Sequence, residues 1–344
     1  MHKLNTQFEE LRSAIEPDTA RKTEAKKSDD PVREHLESHE SFSAHHVATF
    51  LYGSYRRRTA ICDIKDVDLV VVTNFTTDDD PIDVLNTLKD SLGKLYDGAD
   101  LADQRRSIRV NRPLPNDPDS ELTLDVIPAI YQDEVGGPLW VPDREKTKWV
   151  ESHPQGHIDH TSELNAESHE GHSFVRLSKM MKWWWQYQWE KLNPSAEAHS
   201  RKPKGFWIEV MCGEFADLDK ESYPELILAL LENAFAEFES FRQTGVMPEL
   251  ADPGLPDQTI KTSMTDVEFS AFLDVLEQAL IDARAAVGAN TERGAAERWR
   301  KLFGDKFPLP AEESNSSRLL KAAATGGLSF PTKPLIPSKP AGFA

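Results

Sequence analysis

Three acids and a glycine-serine pair set the chemistry this chain can attempt. Asp66-Val67-Asp68 opens the apolar run Leu69-Val70-Val71-Val72, and Asp125 stands inside Leu122-Thr123-Leu124-Asp125-Val126-Ile127. Side chains alternate along a strand, so Asp66 and Asp68 share one face while Val67 and Leu69 take the other. A lone Asp-x-Asp at a strand start is usually a solvated end. A third carboxylate amid Leu, Val and Ile is not there for stability, because burying it is costly. Gathered around one point, the three would repel unless a cation neutralised them, and oxygen ligands of this kind suit Mg²⁺ or Mn²⁺. Two such ions on Asp66, Asp68 and Asp125 would clamp the attacking and leaving oxygens of an in-line phosphoryl displacement. Twelve residues before Asp66 lies Ser54, preceded by Gly53. Glycine lets a backbone approach a ligand closely, consecutive N–H groups can point at phosphate oxygens, and the serine adds a hydroxyl donor.

The elements that must position these groups are legible in outline. Strands are predicted near 47–52, 67–73, 104–110 and 121–128, with an amphipathic helix over 81–97. Helices are predicted at 5–16 and 17–39, the second interrupted near Pro31, where Asp29-Asp30-Pro31 is a helix-start signal. Residues 131–170 carry few periodic signals and several Pro, Gly and His, and read as a long loop region packing near a cleft. From 172 to 304 the pattern is helical, broken around 194–203 and 247–258. On the helix over 172–192, Phe174, Leu177, Met181, Trp184, Trp185 and Gln188 form one stripe, with Lys179, Lys182 and Gln186 opposite. From periodicity alone that basic face is solvated and the tryptophans are core. From about 311 the chain turns rich in Ser, Pro, Gly and Lys and reads as a flexible tail.

Leu51-Tyr52-Gly53-Ser54-Tyr55-Arg56-Arg57-Arg58-Thr59-Ala60-Ile61 followed by Asp66-Val67-Asp68-Leu69 resembles the active-site signature of polymerase-beta-type nucleotidyltransferases. More narrowly, the chain resembles the CD-NTases, bacterial relatives of cyclic GMP-AMP synthase and oligoadenylate synthetase found in anti-phage signalling operons. The likeness continues through Leu139-Trp140-Val141-Pro142-Asp143-Arg144, Lys179-Met180-Met181-Lys182-Trp183-Trp184 and Trp299-Arg300-Lys301-Leu302-Phe303-Gly304. It implies a two-lobed α/β fold, with a mixed-sheet catalytic lobe over 1–170, a helical lobe over 171–310 completing the nucleotide pocket, and a tail over 311–344. It also implies a metal-dependent synthase of cyclic di- or trinucleotides, fed by ATP and by GTP or pyrimidine triphosphates. In the resembled family Gly53 and Ser54 would hold the β- and γ-phosphates, and Lys182, with Lys179 one turn earlier, would contact the donor triphosphate. Phe206 would stack on the base, although Gly205 replaces the serine common before that aromatic; as a plain helix start, Phe206-Trp207 is an equal reading. A ubiquitin-transferase-like protein activates the cyclase through its C-terminus in some operons of the family, and the ending Gly342-Phe343-Ala344 suits such conjugation.

Composition narrows the field. A formal net charge of −18 argues against a polyanion-binding surface, so long nucleic acid is not an expected partner. No apolar segment approaches a membrane span and no signal-peptide pattern opens the chain, so the expectation is a cytoplasmic protein. Cys62 and Cys212 alone make neither a disulfide framework nor a zinc ribbon. His153, His157 and His160 have an i, i+4 element in their spacing, but no cysteine or acid completes a zinc set. Arg56-Arg57-Arg58 could approach phosphates or form a solvated turn, and Arg105, Arg106 and Arg109 could border an acceptor pocket. Two other classes stay open: a transferase of the same fold acting on RNA ends, a protein or a small molecule, and a non-catalytic nucleotide-binding scaffold.

Overall fold

The computed structural model describes residues 1–62, 66–114, 117–169, 173–197 and 200–311. Three short helices lead in: α1 (Asn5–Ala14), α2 (Thr19–Lys27) and α3 (Asp29–Ser38). Asp18 caps α2 by accepting from the Arg21 N–H, and the break before α3 falls at Ser28, so Pro31 sits harmlessly in a first turn. The sheet follows with β1 (His46–Tyr52), the single turn α4 (Gly53–Arg56), β2 (Asp66–Thr73), α5 (Pro81–Leu95), β3 (Leu101–Asp103), β4 (Ile108–Leu114) and β5 (Asp117–Tyr131). Strand order is β1-β2-β5-β4-β3; β2 and β5 run parallel, whereas the β1–β2 and β4–β5 pairs are antiparallel. This is the mixed sheet expected of the fold. The strand foreseen at 104–110 is displaced, since Gln104–Ser107 make the turn between β3 and β4.

Residues 131–170 are not a long loop. They form the hairpin β6 (Leu139–Asp143) and β7 (Lys148–Ser152), which extends β5, and helix α6 (Pro154–Glu167). Hydropathy hides α6 because its buried stripe is Pro154, His157, Ile158 and Thr161, three of them not aliphatic. The remainder is helical apart from one hairpin: α7 (Phe174–Leu192), α8 (Gly205–Phe215), α9 (Tyr223–Phe238), α10 (Phe241–Thr244), β8 (Leu250–Asp252), β9 (Leu255–Ile260), α11 (Asp266–Val287) and α12 (Glu292–Phe303). The two breaks foreseen at 194–203 and 247–258 fall between α7 and α8 and on the β8–β9 hairpin.

Apolar side chains gather in three clusters. One lies between the sheet and α3 and α5, one covers the other face of β2 with β6, and the largest fills the helical part. α1 contributes to the last of these: Phe8 packs edge-on against Trp299 and Phe307, with ring centroids 5.5 and 5.0 Å apart. The N-terminal helix therefore ties the two ends of the described chain together. The expected flexible tail over 311–344 lies, from residue 312, outside the described residues.

Candidate active site

Register decides which side chains meet. Asp68 on β2 lies beside Asp125 on β5, Arg109 on β4 faces Asp125 from the other side, and Tyr52 on β1 faces Asp68. Four neighbouring strands thus carry Tyr52, Asp68, Asp125 and Arg109 in one transverse row. Asp66 is two residues back on the same face of β2, where it accepts a hydrogen bond from the Thr123 hydroxyl. Gly53 follows β1 with φ +70°, and a Cβ placed on it would stand 1.8 Å from Asp68 Oδ2. Only glycine tolerates both the left-handed backbone and that approach.

A cavity of about 470 Å³ opens against this row. Gly53, Ser54, Asp66, Asp68, Asp125, Lys182 and Phe206 all line it. Of the residues singled out in the sequence, Lys179 is the exception. It forms an ion pair with Glu16 at 2.6 Å and lines a separate, larger cavity of about 1140 Å³, together with Arg56 and Arg58 and none of the three acids.

The acids are already under electrostatic tension. Burial, and then the neighbouring Asp125 and Asp66 charges, push Asp68 up to about 6, while Arg57 and Arg109 oppose the shift. Asp125 is held by Arg109 through two hydrogen bonds, Nε to Oδ1 at 3.0 Å and Nη2 to Oδ2 at 2.8 Å, and Arg109 also reaches within 3.6 Å of Asp66. Among the described residues no three acids, histidines or cysteines converge as a ready metal cage. The expectation of three carboxylates around one point is therefore met at the level of backbone and cavity, but Asp125 is turned toward Arg109. The donor chemistry still fits a hard divalent cation, since three carboxylates line one cavity, and Asp68 is raised by burial first and by the charges of the other two second.

The basic face expected on α7 is not solvated. Lys179 and Lys182 are each 7 % exposed, and the helix is buried nearly all round, because α1, α6, α8, α9 and α12 all pack on it. The tryptophans are core, as their spacing implied: Trp184 and Trp185 stack edgewise on Phe272. Lys182 Nζ donates to Glu209 Oε2 at 2.5 Å and to the Thr59 hydroxyl and carbonyl at 3.0 and 3.2 Å. Arg57 Nε donates to the other oxygen of Glu209 at 2.8 Å. Burial lowers the Lys182 ammonium below its usual range while Glu209 opposes that shift; Glu209 itself is driven far down by Lys182 and Arg57 despite its burial. Of the three consecutive arginines, then, the middle one is buried beside the cavity and its neighbours face away from it.

Phe206 is half-buried in the first turn of α8, with the Arg57 guanidinium 4.8 Å from its ring centre and the His157 ring 4.9 Å away. At Gly205 an added Cβ would meet Lys182 at 3.7 Å, an ordinary contact, so the missing serine is not excluded by space. Both ring nitrogens of His157 are engaged by neighbouring side chains. Its Nδ1 lies 2.9 Å from the Tyr52 hydroxyl and its Nε2 2.7 Å from Asp252, while His153 Nδ1 is bonded to the Gly254 carbonyl. Arg105 and Arg106 both serve the buried Asp143 rather than the cavity. Glu209, Thr59 and Asp252 escaped the sequence reading. For Glu209 the signal was present, a lone acid in Phe206-Trp207-Ile208-Glu209-Val210-Met211, the same kind that marks Asp125.

Comparison with known proteins agrees with this geometry. Residues 1–165 match the Second Messenger Oligonucleotide or Dinucleotide Synthetase domain. The chain is 32% identical to a cyclic AMP-AMP-AMP synthase of Acinetobacter sp. over 98% of this chain and 97% of that protein. It is 27% identical to a cyclic AMP-AMP-GMP synthase of Enterobacter hormaechei, over 99% and 100% of the two chains. In fold it is similar to E. coli MS115-1 CdnC, solved in complex with HORMA-deltaN (TM-score 0.68, 18% identity, 90% of this chain and 98% of that one). It is similar also to the Bradyrhizobium diazoefficiens CD-NTase CdnG in complex with GTP (TM-score 0.69, 13% identity, 93% and 99%). A full-length relative at this identity, together with acids and glycine placed where the signature requires them, makes the chain a nucleotidyltransferase of the bacterial CD-NTase family of cyclic oligonucleotide synthases.

Proposed function

We propose that this protein joins nucleoside triphosphates, ATP foremost, into a cyclic trinucleotide that signals in anti-phage defence. The observation carrying the reading is Asp68 and Asp125 in register on parallel strands, lining the same cavity as Gly53, Ser54, Lys182 and Phe206. Adenine is favoured because the Acinetobacter relative is named for three adenylates and the Enterobacter relative for two adenylates and a guanylate. Both names are of trinucleotides, which favours three units over two.

In each step a ribose hydroxyl oxygen bonds to the α-phosphorus of a donor, the bond from that phosphorus to its bridging oxygen breaks, and pyrophosphate leaves. The last step closes the ring. Mg²⁺ or Mn²⁺ held by Asp66, Asp68 and Asp125 would neutralise the triphosphate and make the attacking hydroxyl more acidic. Gly53 leaves room for the phosphate chain, Ser54 donates its hydroxyl, and Lys182 supplies positive charge from the opposite wall. Phe206 offers a ring to the base, steadied from behind by Arg57 and His157. Asp125, which lines the same cavity, would take the proton of the attacking hydroxyl.

The protein is read as cytoplasmic, in keeping with its substrates; among the described residues no helix is long and apolar enough to cross a membrane. An operon-encoded activator, ubiquitin-transferase-like, would act on the sequence beyond 311. The test of the reaction is incubation of purified protein with labelled ATP, GTP, CTP and UTP and Mg²⁺, then nuclease digestion and mass spectrometry. A cyclic product formed from ATP alone or from ATP with GTP is expected. A product requiring an added RNA end, protein or small-molecule acceptor would replace this reading with a same-fold transferase, and absence of pyrophosphate release would leave a scaffold.

A further inference from the structure

Glu209 is a buried acid for which the reaction above has no use. Its residue is 3 % exposed, and it lies behind the cavity wall, since Lys182, Arg57 and Thr59 line the cavity and Glu209 does not. Its carboxylate is crowded with donors from three separate segments. Oε1 accepts from Arg57 Nε at 2.8 Å and the Thr161 hydroxyl at 3.4 Å; Oε2 accepts from Lys182 Nζ at 2.5 Å, the Thr59 hydroxyl at 2.6 Å and Arg57 Nη2 at 3.4 Å. Arg57 and Thr59 come from the segment after β1, Thr161 from α6 and Lys182 from α7, whereas Glu209 belongs to α8. Two cations share one anion, so the buried group keeps a surplus positive charge beside the cavity. One donor of the set, Arg57 Nη1, is buried and has no hydrogen-bond partner among the described residues.

We propose that Glu209 is a positioning residue for triphosphate binding: it fixes Lys182 of the helical part and Arg57 of the sheet part side by side on the cavity wall, as one phosphate-binding pair with a single surplus charge. The proposal rests on the reading of Lys182 as a phosphate contact. Without the carboxylate two buried cations would be left with no anion between them, and the lysine, which can lose its proton, would yield before the arginine. The groups facing Lys182 are few. Glu209 favours its charge; Arg57 opposes it; Cys212, pushed up by burial, stays neutral; Thr59 donates to Glu209 and accepts from the lysine. The other charged groups lining the cavity, Asp66, Asp68, Asp125, Arg201 and Lys204, are the same in every variant considered. Glu209 thereby holds Lys182 toward its charged form against burial and Arg57.

The test is binding of a non-hydrolysable ATP analogue, with adenosine as the uncharged control, between pH 7 and 9 by calorimetry, on full-length protein verified as folded by circular dichroism. Relative to wild type, Glu209→Gln is expected to lose about tenfold in analogue affinity per pH unit once the lowered lysine titrates, with adenosine binding unchanged. Glu209→Asp, which keeps the charge but withdraws it by one methylene, is expected to show a partial version of the same dependence, and it carries the test if the glutamine variant does not fold. Lys182→Met in the Glu209→Gln background should abolish the pH dependence. A folded Glu209 variant whose analogue affinity tracks wild type from pH 7 to 9 overturns the proposal. Unchanged analogue affinity in Lys182→Met alone would instead overturn the phosphate role of Lys182, so the two failures are distinguishable.

Discussion

Asp68 is the residue on which binding and stability pull in opposite directions. Its carboxyl is raised to about 6, against an ordinary value of 3.8, because it is half-buried and partly desolvated beside two other acids. A raised carboxyl binds its proton more tightly in the folded state. The penalty for ionising it is absent at low pH, grows as pH rises through the ordinary value, and is complete above the folded one. In chelator, Asp68→Asn is therefore expected to melt with wild type near pH 3.5 and progressively above it between pH 4 and 6, by up to about 3 kcal/mol, taking ~1.4 kcal/mol per unit. Thermal melts across that range check it, and an advantage that is constant with pH would refute the electrostatic account. The same variant is expected to make no cyclic product. Excess Mg²⁺ should remove its stability advantage, because the cation relieves in wild type what the amide relieves in the variant.

At the scale of elements, strands β2 and β5 were legible because their acids interrupt otherwise apolar runs, and α5 because a regular apolar stripe marks its buried face. Helix α6 was illegible because it buries a histidine and a threonine that hydrogen-bond to Tyr52 and Glu209, so its inner face looks polar. Helix α7 was half legible: its apolar stripe is real, but its lysines are buried as well, each satisfied by an acid from a distant segment. Helix α11 shows what purely local signals do. Thr265 accepts from the Glu268 N–H and Glu268 reaches back to the Thr265 N–H, a capping box that starts the helix. Thr265→Ala is expected to reduce stability by about 1 kcal/mol and leave product formation unchanged, since α11 does not line the cavity. Calorimetric melting beside a turnover assay checks both parts, and a loss of activity without loss of stability would mean that α11 acts on the site.

For the whole molecule, the consequential arrangement is the closing of the chain on itself. Phe8 from the first helix, Trp299 and Phe303 from the last, and Phe307 beyond it form one aromatic group, and the apolar clusters draw on nothing described past Leu309. The segment beyond it is rich in Ser, Pro, Gly and Lys and too poor in apolar residues to fold by itself, so truncation after Ala311 is expected to leave melting temperature and basal synthesis within error of the full chain, while abolishing partner-dependent protection in cells that carry the complete operon. Equal protection by both forms would remove the C-terminal segment from the activation scheme. Loss of melting temperature would instead mean that it packs on the body.

Short-range physics made part of this protein readable from its residues. Alternation along a strand places Asp66 and Asp68 on one face, the Val-rich run buries β2, and the chemistry of carboxylates beside a Gly-Ser turn points to a cation and a phosphate chain. What the residues opposite them would be was decided only in three dimensions. Strand register brought Arg109 against Asp125 and Tyr52 against Asp68. Packing between α7 and α8 joined Lys182 to Glu209, and the turn after β1 sent Arg57 to an acid 152 residues away. These pairings depend on how distant segments are packed, and no local period or spacing records them. Hence the acids could be named from the sequence, while the counter-charges that hold them, and the burial that makes Lys182 dependent on Glu209, belong to the tertiary structure.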